Sequence, residues 1–291
     1  MSQFLAASEL VLNPDGSVYH CNLHPENLAD TVLLVGDPGR VPKVSHYFDQ
    51  VDFKTQKREI VTHTGLKNGK RISVVSTGMG TDNIDIVLSE LDALANIDLK
   101  ERRLRTEHKQ LTFIRLGTSG SLQKDLPVDS FLATTHGLGF DGLVHYYEHA
   151  EPFSNHPFVD AFIQDVQWDS RLPRPYLVEG DPELIRKAEA MGFYTGVTAT
   201  ATGFYGPQGR VLRLGVQDKT MNEKLSKFRF NNLRITNFEM ETYGLYGLSS
   251  LMGHRALTIN CIIANRFTGK YSSDYQKAME ILIQQVLNEF V

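Results

Sequence analysis

Between Gly203 and Arg210 the chain reads Gly-Phe-Tyr-Gly-Pro-Gln-Gly-Arg, a glycine-punctuated loop with an amide and a guanidinium two residues apart beside two aromatic rings. Phe204 or Tyr205 can offer a face to a flat heterocycle, while Gln208 and Arg210 offer in-plane hydrogen bonds. An amide donates and accepts, whereas a guanidinium only donates. Together they suit a ring edge with two carbonyl oxygens around an N–H, which is the edge uracil displays. Gly/Pro-rich loops also simply turn corners, so the loop alone leaves both readings open.

Three further glycine turns follow apolar runs: Val35-Gly36-Asp37-Pro38-Gly39-Arg40, Ser76-Thr77-Gly78-Met79-Gly80 and Arg115-Leu116-Gly117-Thr118-Ser119-Gly120. Glycine at a strand end lets backbone N–H groups approach an anion with no Cβ in the way. None of the three is a Walker A loop or a GxGxxG dinucleotide turn, so a nucleoside triphosphate or dinucleotide cofactor is not indicated. Arg115 interrupts Phe113-Ile114-Arg115-Leu116, which otherwise looks like a buried strand. A buried guanidinium is costly unless it meets an anion. Its partner is either a core carboxylate or, with Arg40 and the Thr118 hydroxyl, a phosphate-sized group.

Glu239-Met240-Glu241 lies where a strand runs into a helical pattern. Two carboxylates there could accept from the vicinal hydroxyls of a ribose, with methionine against the sugar's apolar face. Acids at a helix N-terminus also gain from the macrodipole whatever the function. Paired carboxylates suggest a glycoside hydrolase as well, but no other acid motif supports one. The ten histidines form no HExxH pattern, and His145 and His149 fall in a loop-like stretch. No GxSxG nucleophile elbow occurs, and covalent catalysis has no candidate.

The elements that must position these residues alternate as in an α/β protein. Thr31–Gly36, Arg71–Ser76, Leu111–Gly117, Asp129–Thr135, Gly196–Ala201 and Ala256–Asn265 read as strands, with Leu233–Asn237 running into a helix over Thr242–Met252. Asp82 can cap a helix with Ile84, Val87, Leu88, Leu91 and Leu94 on one face. Asp181-Pro182 opens another that Gly192 closes. Ser273 or Asp274 starts a C-terminal helix with Met279, Leu282, Ile283, Val286 and Leu287 inward. Residues 97–110 mix both charge signs and read as a solvated helix extension or loop rather than an RNA-binding arm.

The 291 residues show no repeat or low-complexity linker, so residues 1–291 read as one domain. With 41% hydrophobic and 22% charged residues the composition is that of a soluble globular protein. A net charge of −4 gives nucleic acid or an anionic membrane no bulk attraction. Two isolated cysteines, Cys21 and Cys261, fit the reducing cytoplasm. Neither a signal peptide nor an apolar run of about 20 residues is present.

Taken together, from His20 to Arg266, these residues resemble the nucleoside phosphorylase family. The Gly-Asp-Pro-x-Arg, Ser-Thr-Gly-x-Gly, Arg-x-Gly-Thr-x-Gly and Glu-Met-Glu segments match the family broadly, and Phe-Tyr-x-x-Gln-x-Arg matches its uridine-cleaving branch. The resemblance implies a three-layer α/β/α fold around a mixed sheet, and phosphorolysis of uridine to uracil and ribose 1-phosphate in pyrimidine salvage. It implies inorganic phosphate as co-substrate and no cofactor. Gly36, Arg40, Arg115 and Thr118 are expected to bind phosphate, Glu239, Met240 and Glu241 the ribose, and Phe204, Gln208, Arg210 and Arg266 the base. Arg115, Gln208 and Arg210 are expected to carry catalysis. Arg58 and His20 are expected to cross the interface of a homodimer or homohexamer.

Departures from the family pattern matter. Purine-cleaving relatives carry a Ser-Asp pair where this chain has Ala264-Asn265, which disfavours purine cleavage. An interface potassium ion held through a glutamate such as Glu59 is open to question, because Asn83 stands where a serine is expected. The 97–110 insertion and the first seventeen or so residues have no counterpart. The alternatives are a purine phosphorylase, a water-using nucleosidase and, in another class, a non-catalytic nucleoside-binding protein.

Overall fold

The computed structural model describes residues 4–291. In chain order the first strands are β1 (Thr31–Val35), β2 (Gln50–Lys57), β3 (Ile60–Lys67) and β4 (Lys70–Ser76). The two-residue pair β5 (Ile97–Asp98) and β6 (Arg103–Leu104) precedes β7 (Thr112–Ser121), β8 (Phe131–Gly139), β9 (Tyr176–Glu179) and β10 (Tyr194–Thr200). The last are β11 (Arg229–Phe230), β12 (Leu233–Glu239), β13 (Arg255–Asn265) and β14 (Lys270–Tyr271). The helices are α1 (Arg40–Ser45), α2 (Thr81–Asn96), α3 (Glu151–Ser154), α4 (Pro157–Val166), α5 (Pro182–Ala190), α6 (Met221–Lys227), α7 (Thr242–Leu251) and α8 (Tyr275–Phe290).

The main sheet runs β11-β12-β10-β8-β13-β7-β1-β4-β3-β2. β4, β1, β7 and β13 are mutually parallel, β13 meets β8 antiparallel, and β8, β10 and β12 are again parallel. This is the mixed α/β architecture expected. Beyond the expectation, β12 also pairs antiparallel with β7, through Asn237 with Ser121 and Phe238 with Gly120. That contact closes β7, β13, β8, β10 and β12 into a ring. It draws Thr118–Gly120 up to Phe238 and Glu239.

The cores follow from apolar periodicity. Ile84, Val87, Leu88 and Leu91 of α2 bury with Leu245 and Leu248 of α7 on one face of the sheet. Val41 and Val44 of α1, Leu184 and Ile185 of α5, and Leu282, Ile283 and Val286 of α8 bury on the other. A third cluster joins α4 and α6 through Phe158, Phe162, Leu225 and Phe228. Each such side chain contributes roughly 1.5–3 kcal/mol. No helix among the described residues is long and apolar enough to cross a membrane.

Capping agrees with the sequence at α5, where Asp181 accepts from the N–H groups of Glu183 and Leu184 at 3.1 and 2.9 Å. Asp274 caps α8 through the Lys277 N–H at 3.1 Å. At α2 the cap is Gly80 with φ 92°, and Asp82 lies inside the first turn. Residues 97–110 form the β5–β6 pair and coil instead of extending α2, because Asn96 turns its amide onto Lys109 (Nδ2 to O 3.2 Å, Lys109 N to Oδ1 2.7 Å). The N-terminal segment lies on this insertion: Leu5 N donates to Arg102 O at 2.9 Å, and Arg102 Nε donates to Leu5 O at 2.8 Å. The β2–β3 hairpin and α4 were not anticipated; alternation is clear in β2, yet its inward positions are only half-buried.

Candidate functional site

Beyond the carboxyl ends of β1, β4, β10 and β12 lies a cavity of about 660 Å³. It gathers Gly36, Arg40, Arg115, Thr118, Phe204, Gln208, Arg210, Glu239, Met240 and Glu241 from segments spread over two hundred residues of chain. At one end Arg40 leans over β7, its Nη1 donating to Leu116 O at 3.1 Å. Burial, and then the neighbouring Arg115 cation, push the Arg40 pKa below the usual guanidinium range. Two desolvated cations facing one cavity are relieved by an anion between them.

Arg115 Nη2 donates to Glu241 Oε2 in a short contact, and Nη1 lies 3.5 Å from Glu239 Oε2. All three side chains are buried. The two carboxylates are not equivalent. Glu239 Oε1 accepts from the Thr200 hydroxyl at 2.7 Å, and Oε2 accepts from the N–H groups of Glu241 and Thr242 at 2.9 and 2.8 Å. Its carboxylate therefore holds the first turn of α7, and burial pushes its pKa up. Glu241 Oε1 accepts from Gly80 N at 2.8 Å, tying the α2 N-terminus to the same corner. Met240 is half-buried on the cavity wall.

The other end is the glycine loop. Residues Gly206–Gln208 form a single 3-10 turn that stops at Gly209, φ 70°. Gln208 is buried. Arg210 Nη1 donates to Gln208 Oε1 and to Phe204 O, both at 2.6 Å, and its guanidinium lies over the Phe204 ring. Burial and the Arg266 cation bring the Arg210 pKa down to about 10, so it stays charged at neutral pH. Tyr205 is exposed and off the cavity wall, which leaves Phe204 as the ring face. Phe238, Ile263 and Tyr271 add apolar wall; nothing in their local sequence marks them as site residues.

Three expected residues lie outside this cavity. Arg266 is half-buried and anchored by its N–H to Ser121 O at 3.0 Å; its charge reaches Arg210. His20 Nδ1 lies 2.7 Å from Glu90 Oε1, and the same carboxylate accepts the N–H groups of His20 and Cys21. Arg58 is exposed at the β2–β3 turn with φ 53°. Lys57 Nζ, donating to Tyr19 O at 2.5 Å and Asn13 Oδ1 at 2.8 Å, ties that turn to the segment bearing His20.

A potassium ion held near Glu59 needs converging oxygens. Here Asn83 Nδ2 donates to Met79 O at 3.2 Å beside Gly78 and Glu59. The Asn83 amide, standing where a serine is expected, thus takes one of the two lone pairs of the Met79 carbonyl. Asp92, His108 and His254 are the one group among the described residues with metal-ligand spacing. Leu111 N–H points at His254 Nδ1 (3.1 Å), which puts the ring proton on Nε2, facing Asp92 Oδ1 at 3.1 Å. That nitrogen is a donor, not a ligand.

The chain resembles known proteins along nearly its whole length. The chain is 28% identical over 289 residues to the uridine phosphorylase of Thermococcus kodakarensis, covering 99% of this chain and 91% of that one. It is 29% identical to the uridine phosphorylase of Haemophilus influenzae, with 86% of each chain covered. A Trypanosoma brucei nucleoside phosphorylase crystal structure described as showing uridine phosphorylase activity superposes with a TM-score of 0.88 at 30% identity, over 96% of this chain and 98% of that one. The model of the Phosphorylase superfamily matches residues 30–289, and the chain belongs to that superfamily.

Proposed function

We propose that this chain is a uridine phosphorylase, a pentosyltransferase that splits uridine with inorganic phosphate into uracil and ribose 1-phosphate. The observation that carries it is a single cavity that unites the Arg40–Arg115 cation pair with Gln208 and Arg210, with Glu241 against Arg115. The names of the relatives support the same activity.

Phosphate sits against Gly36, Arg40, Arg115 and Thr118, below C1′. The ribose lies over Met240 with its hydroxyls on Glu241, and Glu239 sets the backbone that presents both. Phe204 stacks on the base while Gln208 and Arg210 read its edge, with Arg266 adding positive charge behind them. As the C1′–N1 bond loosens, the sugar takes oxocarbenium character and the bonding pair moves onto the pyrimidine. Arg210 and Gln208 donate to the oxygens where that charge collects; losing one such donor costs about 10²–10³ in rate. A phosphate oxygen then bonds to C1′, and the uracil anion takes a proton from water. Holding nucleophile and sugar together supplies several kcal/mol, up to ~7–11 for ideally fixed pairs.

The 291 residues act as one catalytic domain in the cytoplasm, in a homo-oligomer in which Arg58 and His20 reach the neighbouring subunit's phosphate and ribose. Purine cleavage is disfavoured by Asn265, whose Nδ2 donates to Gln123 O and Leu126 O at 2.8 and 2.9 Å while Oδ1 accepts from Phe267 and Thr268 N–H. It has no proton to give a purine. The test is ultraviolet-monitored release of uracil from uridine with and without phosphate, beside inosine and thymidine. Phosphate-independent release would mean a nucleosidase; preference for inosine would mean the base end is misassigned; binding without turnover would mean a nucleoside-binding protein.

A further inference from the structure

Gly117 lies between two side chains that any Cβ there would push aside. A Cβ there would lie 2.1 Å from Arg115 Nη1 and 2.4 Å from Asn260 Oδ1. The cause is the register of the parallel pair β7–β13, which sets Thr258 beside Arg115 and Asn260 beside Gly117. Residues 115 and 117 project from the same face of β7, so the Arg115 fork crosses the bare glycine toward the Asn260 amide.

Asn260 is wholly buried, and neither its Oδ1 nor its Nδ2 has a hydrogen-bond partner. Arg115 Nε and Nη1 are in the same condition, as is Thr258 Oγ1. Buried polar groups are rarely left without a partner, so these atoms call for one. Arg115 Nη2 is committed to Glu241, and its Nη1 has only the 3.5 Å approach to Glu239.

We infer that Asn260 is a positioning residue for Arg115: its amide oxygen, across Gly117, is the acceptor that holds Nη1 when Arg115 turns from Glu241 to phosphate. A neutral amide suits this task. It can fix the guanidinium plane without adding a third negative charge to the two carboxylates that already face Arg115. A carboxylate at 260 would pair with Arg115 and compete with phosphate. The inference rests on the proposed phosphate site and adds to it a residue of the neighbouring strand β13 that does not line the cavity.

The test is steady-state kinetics on Asn260→Ala, Asn260→Ser and Asn260→Asp, with phosphate and uridine varied separately. N260A raises KM for phosphate on the order of tenfold, the effect of one hydrogen bond to a charged group, and leaves KM for uridine near wild type. N260S, which keeps an acceptor, recovers part of the loss. N260D raises the phosphate KM most. A merely structural asparagine would move the melting temperature and leave the two KM values in their wild-type ratio, and that result overturns the inference. If N260A does not fold, N260D decides: an unchanged phosphate KM there also overturns it. Uracil release from the wild type without phosphate would instead remove the proposed function itself, so the two failures are distinguishable.

Discussion

The guanidinium carbon of Arg210 lies 3.7 Å from the centre of the Phe204 ring, while its Nη1 donates to the carbonyl oxygen of that same phenylalanine. The ring face suited to a base is thus covered by the cation suited to the base's edge. Binding uridine means moving the guanidinium from above the ring to its rim, or stacking on the opposite face. Phe204→Leu removes the face and keeps the bulk. Base–aromatic stacking is worth ~1–3 kcal/mol, so KM for uridine should rise roughly 5- to 100-fold with KM for phosphate unchanged. Equal uridine KM values in initial-rate assays would mean the base does not use this ring.

Gln208 and Arg210 act as a unit, because Oε1 of one accepts from Nη1 of the other at 2.6 Å. Gln208→Ala and Arg210→Ala should each lower kcat/KM for uridine by about 10²–10³. The double variant should be little worse than the poorer single one, since coupled residues are not additive. A double loss equal to the product of the singles would show two independent contacts.

Arg115→Ala should abolish phosphate dependence and most turnover. It should also destabilise the fold by about 3–5 kcal/mol, because Glu239 and Glu241 are left buried without their cation. Phosphate titration of the residual rate and chemical denaturation check the two halves. Near-wild-type kinetics would remove the phosphate assignment.

The two glutamates should separate by readout. Glu239→Gln disturbs a carboxylate with three internal donors, so it should cost about 1–3 kcal/mol of stability with a modest change in uridine KM. Glu241→Gln should spare more of the stability and lower kcat/KM for uridine further. Thermal melts beside kinetics test the ordering, and the reverse ordering would assign the sugar to Glu239.

Exchanging potassium for sodium or a large organic cation should leave the rate unchanged, because an asparagine stands where a serine is expected and its Nδ2 donates to the Met79 carbonyl. Asn83→Ser should open that carbonyl. A strong potassium requirement in the wild type, read from rate against salt identity at constant ionic strength, would overturn this expectation.

The α/β class and most strands were legible, since short apolar runs rich in β-branched residues, such as Val32–Val35 and Thr258–Ile263, read as buried strands from composition and length alone. The ring closure was not: the Phe238–Gly120 pairing joins residues more than a hundred apart, and neither carries a local signal of it. Within the site, Arg40, Arg115, Gln208 and Arg210 stood out because charge or amide in an apolar or glycine-rich context demands a partner. Tyr271 and Ile263 did not, because an apolar side chain looks the same in a core and in a cavity wall. The different standing of Glu239 and Glu241 was also beyond the sequence, since it depends on which oxygen meets the α7 N–H groups. Asn260 escaped notice for a related reason: its environment is set by register across strands, not by its neighbours in the chain.

Arg58, exposed at its hairpin tip, and His20, anchored on Glu90, both lie away from the cavity of their own chain. If each completes a neighbour's site, then catalytic competence is a collective property, and it has a threshold. Serial dilution should make turnover per subunit fall as subunits part, and a mixture of an Arg58→Ala chain with a chain defective only at Arg115 should regain activity that neither possesses alone.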